Sequence, residues 1–206
     1  MGERIRQTAH DLFMQYGLRS VSMDDIATGL GISKKTIYQF YEDKDALVDD
    51  VIASVIEHNQ LCCQQDKEGS QNAIHEIFLA MDFMMEIFQS MNPSLVFDMQ
   101  KYYPVTFKKF SEHKNEYLYG MIRANILRGI EEELYRADIQ IDILSRFRVE
   151  SMMLPFNPEF QSKVKFNLAE IEEELILHFL LGMVTLKGYK MTIKYQKDRI
   201  KKLKAK

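Results

Sequence analysis

The chain has 206 residues, 46% of them apolar, and a formal net charge of −3. No stretch approaches the ~20 consecutive apolar residues of a membrane-spanning helix, and charged and polar groups fill Gly2 to Asp11, where a secretory leader would be apolar. The expected product is a cytoplasmic globular protein with a sizeable core, neither membrane-bound nor globally basic. Its two cysteines, Cys62 and Cys63, are adjacent, which disfavours a disulfide between them and offers no metal-ligand spacing. No metal or cofactor is therefore expected. Four prolines, nine glycines and the lack of an Asn-Gly hairpin signal predict an all-α chain.

From Glu3 to Tyr16, Ile5, Ala9, Leu12, Phe13 and Tyr16 recur at three- and four-residue spacing, which predicts an amphipathic scaffold helix ending at Gly17. Arg4 or Arg6 at its start is a candidate phosphate contact. Next comes Ser22 to Lys44, SMDDIATGLGISKKTIYQFYEDK. Ser22 suits a helix N-cap, with Asp24 and Asp25 in the first turn where the helix dipole favours carboxylates. Ile26, Ala27 and Leu30 supply an apolar face, and Gly31 suits the left-handed residue that ends a helix. Ser33 starts a second helix, with Ile37 and Phe40 on its inner side and Lys34, Lys35, Tyr38 and Gln39 pointing outward. Two short helices joined by a tight Gly-containing turn are a helix-turn-helix pattern.

The residues Ile26-Ala27, Leu30-Gly31-Ile32-Ser33, Thr36-Ile37-Tyr38, Phe40-Tyr41, Lys44 and Leu47, together with Ile5, Ala9, Leu12, Phe13 and Tyr16-Gly17, resemble the tetracycline-repressor (TetR) family of bacterial transcription regulators. The resemblance covers roughly residues 4 to 58 and is architectural beyond them. It implies an N-terminal three-helix helix-turn-helix domain followed by a larger helical domain for ligand binding and dimerisation. Lys34, Lys35 and Thr36 lie in the first turn of the recognition helix, from which such proteins reach base edges in the major groove. By resemblance, Tyr38 and Lys44 take phosphate-contacting positions, and Gln39 completes the candidate set. Two residues depart from the family pattern: Phe40 has no hydrogen-bond donor, and Asp24 would repel phosphate and suits the helix dipole instead.

Asp43 to about Gln60 carries a broad apolar stripe that predicts a longer helix, and Gln64 to Asn72 is expected to be a loop marking the domain boundary. Ala73 to Met91 is apolar nearly all round, which predicts burial. Its methionines fit core filling or, alternatively, a pliable ligand cavity. Ser94 to Tyr103 predicts a short helix broken by Pro104, and Val105 to about Gly129 or Glu133 a long one. Tyr102, Tyr103, His113, Tyr117 and Asn125 are the polar residues of interest for a pocket. Asp138 to Leu154 and Leu168 to Leu186 follow as helices, the latter with Glu170 and Glu172 to Glu174 at its dipole-favoured start. The last twenty residues hold nine Lys and Arg against one Asp, leaving 18 basic and 29 acidic residues elsewhere. This tail is expected to be a weakly helical or disordered solvated terminus.

The predicted organisation is a DNA-binding domain over residues 1–60, a helical effector-binding and dimerisation domain over 61–190, and a basic tail over 191–206. In the resembled family the last two helices form a four-helix bundle with those of a second copy. The expected function is therefore a ligand-responsive repressor that binds a palindromic double-stranded operator as a homodimer, with a small-molecule effector. The alternative is a constitutive or chromosome-organising DNA-binding protein without an effector, which closely packed C-terminal helices without a cavity would favour. An enzyme is not expected: no His follows a Glu at the Glu-x-x-His spacing of helical carboxylate sites, and Gly29-Leu30-Gly31 lacks the third Gly and the strand of a phosphate loop.

Overall fold

The computed structural model describes residues 1–204; the last two residues of the basic tail, Ala205 and Lys206, lie outside the described residues. Among those described, the chain is all-α, with no strand beyond one isolated bridge between Tyr135 and Val184. No helix is long and apolar enough to cross a membrane. The first four helices are α1 (Gly2–Tyr16), α2 (Met23–Leu30), α3 (Lys34–Ile37) and α4 (Lys44–Gly69). They are followed by α5 (Ala73–Phe88), α6 (Leu95–Tyr102) and α7 (Pro104–Glu112), which a π-helical segment, His113–Leu118, joins to α8 (Tyr119–Glu131). The chain ends with α9 (Ile141–Ser151), α10 (Pro158–Lys163), α11 (Leu168–Met183) and α12 (Leu186–Lys204).

The capping chemistry of the N-terminal segment is formed. Ser22 and Asp25 make a reciprocal capping box at α2, and Ser33 accepts from the Thr36 N–H at α3. Gly31 is left-handed (φ 64°), and the Ile32 N–H reaches back to the Ala27 carbonyl, closing α2 with the six-to-one bond of a Schellman turn. Ile5, Ala9, Phe13, Ile26, Ile37, Leu47 and Val48 then form the small core to which α1 to α4 each contribute.

Four expectations are corrected. Helix α4 runs on through Gln64 to Gly69, so the connection to α5 is only Ser70 to Asn72; no breaker stands before Gly69 to stop it. Phe40 is half-exposed rather than on an inner helix face, because α3 ends at Ile37 and a tighter turn, Phe40 N–H to Ile37 carbonyl, rotates the following residues outward. The predicted long helix from Val105 is interrupted by the π-helical segment. The tail forms an ordered helix through Lys204. Thr192 on α12 is buried, Tyr195 stacks on His75, and Arg199 pairs with Asp82 and Glu173, so α12 is fastened to α5 and α11.

The larger core gathers α5, α8 and α11 around Ile74, Phe78, Met81, Ile126, Leu180 and Met183. Arg128 pins the start of α5 by donating to Ser70 Oγ and carbonyl, Glu76 and Glu132. The turn after α8 is clamped onto the α11–α12 elbow: Arg136 N–H bonds the Met183 carbonyl, and Thr185 N–H bonds the Leu134 carbonyl. Tyr135 lies flat against Gly129 and donates to Asn125 Oδ1.

A Cβ at Gly129 would sit 2.0 Å from the Tyr135 ring, whereas one at Gly120, in the same helix, meets nothing. Gly129→Ala should therefore cost about 1–3 kcal/mol through overpacking. Gly120→Ala should stabilise by roughly 0.5–1 kcal/mol. Urea unfolding midpoints at unchanged slope check both.

Candidate nucleic-acid interface and internal cavity

Lys34, Lys35, Tyr38 and Gln39 are exposed on one face of the N-terminal domain, with Thr36 half-buried beside them. The Thr36 hydroxyl is 2.9 Å from that of Ser33, which fixes its methyl and hydroxyl at the head of α3. Lys34 is held at 2.8 Å by Asp24, and the pairing raises the ammonium's affinity for its proton. Asp24 is thus the ion-pair partner of a candidate base-reading lysine as well as a first-turn carboxylate of α2. Lys35 makes no ion pair among the described residues and projects into solvent.

Lys44 is placed differently from the other five. Its ammonium donates to the Leu18 carbonyl at 2.5 Å and lies over the rings of Phe13 and Tyr103, and burial lowers its pKa. In this conformation it ties the start of α4 to the loop after α1. Arg6 faces Asp50 at 3.6 Å, and the Tyr41 hydroxyl donates to the same carboxylate, with burial and that acceptor pushing its pKa up to about 12. Together these contacts lock α1 onto α4.

Behind this face lies a cavity of about 1410 Å³. Helix α5 supplies one wall by dividing its apolar residues between two sides. Ile74, Phe78, Met81 and Met85 enter the core, while Ile77, Met84, Ile87 and, just past the helix end, Met91 line the cavity. Met81 and Met85 thus fill the core, while Met84 and Met91 face the cavity. The opposite wall is α4 from Val51 to Asp66, with Ile122 and Ile126 of α8 and Phe179 of α11 closing the floor. Of the five polar residues expected near a pocket, His113 and Asn125 line it. Tyr102 is stacked under Arg19, Tyr103 is in the N-terminal core, and Tyr117 donates to the Gln60 carbonyl. The imidazole of His113 is within hydrogen-bond distance of Asn59 and Gln60, and burial lowers its pKa.

The cavity reaches the N-terminal helices directly. Met14 and Gln15 of α1 line it, as do Leu95, Val96 and Met99 of α6. Helix α6 also contributes Leu95, Met99 and Tyr103 at its end to the core of α1–α4. Asp98 accepts from the Arg19 N–H and the Ser94 hydroxyl, and Asn92 N–H bonds the Met14 carbonyl at 2.6 Å. Sequence reasoning missed this role of α6, because the spacing of Leu95, Val96 and Met99 marks a single apolar face and does not say which core it enters. It also missed the buried pair of Arg148 and Glu172, on α9 and α11.

Residues 5–51, which carry this helix-turn-helix, match the family of bacterial regulatory proteins, tetR family. This N-terminal segment is a TetR-type DNA-binding domain. The chain is 24% identical over 180 residues to the uncharacterized HTH-type transcriptional regulator YvaF of Bacillus subtilis (strain 168), covering 85% of this chain and 92% of that one. The fold is that of a TetR-family transcriptional regulator from Agrobacterium tumefaciens, at a TM-score of 0.74 and 14% identity over 89% of this chain and 97% of the other. A transcriptional regulator from Saccharomonospora viridis, solved in complex with choline, superposes at a TM-score of 0.72 and 15% identity, again over 89% and 97% of the two chains.

In this TetR-family domain, Asp25 accepts from both the backbone N–H and the hydroxyl of Ser22, which hold its carboxyl below the usual carboxylate range. A depressed folded pKa means the contribution is complete above the unfolded value and is lost as pH falls through the folded one. Asp25→Asn should lower the urea midpoint at pH 7, and the gap to the parent should close as the pH is taken below the carboxylate range.

Proposed function

We propose that this chain is a ligand-responsive repressor that binds a palindromic operator as a homodimer and releases it when a small molecule enters the cavity. The observation that supports this reading is the shared wall: α6 and α1 line the cavity and also belong to the core that holds the recognition helix. A ligand that binds better to one arrangement of α6 than to another shifts the population of the domain positions fastened to it. Two recognition helices read half-sites about 34–36 Å apart, so a small rotation of each domain is sufficient to break the match. The cavity also favours this reading over a constitutive or chromosome-organising binder.

In this reading residues 1–60 bind DNA, 61–190 hold the effector and the dimer contacts, and 191–206 are the basic tail. Lys34, Lys35, Thr36 and Gln39 meet base edges, Tyr38 meets phosphate, and Lys44 supports the loop at the phosphate backbone. The exposed Leu181, Leu186 and Tyr189 on α11 and α12 support pairing of these helices with a second copy. The choline-bound relative supports a small-molecule effector for this architecture.

The deciding experiment is binding to DNA from the protein's own upstream region against random DNA of equal length at two salt concentrations. A saturable complex of two protomers on a palindrome, outlasting random-DNA binding at the higher salt, is the expected result. Equal affinity for both DNAs, repeated against a randomised library without any enriched palindrome, would overturn the specific-regulator reading. Within the same assay Lys35→Ala should weaken binding to the operator more than to random DNA, because it removes a base-edge contact. Asp24→Asn should tighten binding, because it removes a negative charge from the DNA face and releases Lys34 from its ion pair.

A further inference from the structure

Arg148 of α9 lines the cavity although its side chain is only 8% exposed. Of its five N–H donors, one Nη1 bond goes to Ser151 Oγ at 3.3 Å and one Nη2 bond to Glu172 Oε1. The other three find no acceptor among the described residues. Glu172 is fully buried behind it, on the apolar stripe of α11, and its second oxygen, Oε2, also lacks a partner. A guanidinium left with unspent donors at the wall of an apolar cavity is an incomplete hydrogen-bonding site.

A second cation faces the same cavity from the neighbouring element. The Lys114 side chain is 13% exposed and lines the wall, whereas its counter-ion Glu150 is 57% exposed and stands toward solvent. Lys114 belongs to the π-helical segment, where the wider turn lets the successive residues His113 and Lys114 both contribute to the wall. Two carboxylates, Asp66 and Glu76, line the cavity as well, and burial together with the neighbouring carboxylates raises the pKa of Asp66. Ile77, Met84, Ile87 and Ile122 give the wall an apolar stretch, and the α4 side from Val51 to Asp66 is about 22 Å long at 1.5 Å per residue.

We infer that the cavity takes an amphipathic carboxylate whose anionic head is received by Arg148 and Lys114 and whose apolar body lies along the slot between α4 and α5. This rests on the reading of the cavity as the effector site. The head accepts from the unspent N–H groups of Arg148. Because charge-assisted bonds are among the stronger ones in a dry site, a carboxylate should bind roughly tenfold or more tightly than the alcohol of the same chain.

The test titrates the full-length protein with dodecanoate, dodecan-1-ol and dodecyltrimethylammonium, each kept below micelle-forming concentration, by displacement of an apolar fluorophore. The preference for dodecanoate should disappear in Arg148→Met/Glu172→Leu, with dodecan-1-ol still binding; changing both residues avoids stranding a buried charge. A second variant, Glu172→Gln, removes the competing carboxylate and should tighten dodecanoate severalfold while leaving the alcohol unchanged. Equal or tighter binding of the alcohol or the ammonium, or a carboxylate preference that survives the double change, overturns the inference and leaves the effector-cavity reading standing. Failure of the fluorophore and all three probes to bind a protein that still binds DNA overturns both.

Discussion

Asp98 sits buried at the junction of two cores, accepting from the backbone of Arg19 and the hydroxyl of Ser94. The approach is possible because residue 17 is a glycine in the left-handed region (φ 84°); a Cβ there would lie 2.9 Å from Ser94 Oγ and 3.2 Å from Asp98 Oδ2. With the exit of α1 pressed onto the start of α6, Leu18 is fully buried, and its carbonyl is presented to Lys44. Leu95 and Met99 then complete the core of the helix-turn-helix from outside it. Much else follows from that close approach. The DNA-binding helices have no finished core without α6, and the cavity has no finished wall without α1.

This arrangement makes coupling a matter of direct packing. A tightly packed core is bistable rather than continuously deformable, so displacing α6 toward or away from the cavity must move the residues it shares with α1 and α4. A second tie runs through α7, where Lys109 and Thr106 both bond Asp49 in the second turn of α4. Helix α4 is therefore held at its start by Lys44, within its N-terminal third by Asp49 and Asp50, and further along by Asn59 and Gln60 through His113. Its long unbroken course distributes any displacement of one contact over the others.

The sequence made the local features of the N-terminal domain legible because each rests on neighbouring residues. Ser22, Gly31 and Ser33 each act within one turn, and the structure forms the two helix starts and the helix end as read, adding the reciprocal bonds of Ser22 with Asp25 and the contact of Ser33 with Thr36. The misreadings share a cause in longer-range packing. Polar Gln64 to Gly69 suggested a loop, but no breaker precedes Gly69, and α4 continues. The lysine-rich tail looked solvated, yet Tyr195 and Arg199 find His75, Asp82 and Glu173 on helices distant in sequence. Glu172 looked like a dipole partner in a run of acidic residues, but it follows Leu168 and precedes Ile176 at four-residue spacing, and that phase turns it inward to Arg148. No pattern in a single sequence announces that α6 belongs to two cores, since its partners are set by the glycine at 17 and by tertiary contact.

The π-helical segment at His113–Leu118 has a consequence for how this wall can change. A π-helix accommodates one extra residue in a stretch that would otherwise be α-helical, so the helices on either side keep their axes whether or not that residue is present. Substitutions there alter side chains one at a time and leave the register of α8 intact. Removing a single residue would instead let α7 run straight into α8 as one regular helix, with the faces of both kept in phase because the widened turn is what gives up the residue. The lining supplied by the segment itself, His113 and Lys114, would be remade while Ile122 and Ile126 stayed in place. At this point of the chain, a change of length is thus a cleaner way of remaking the lining than any change of residue.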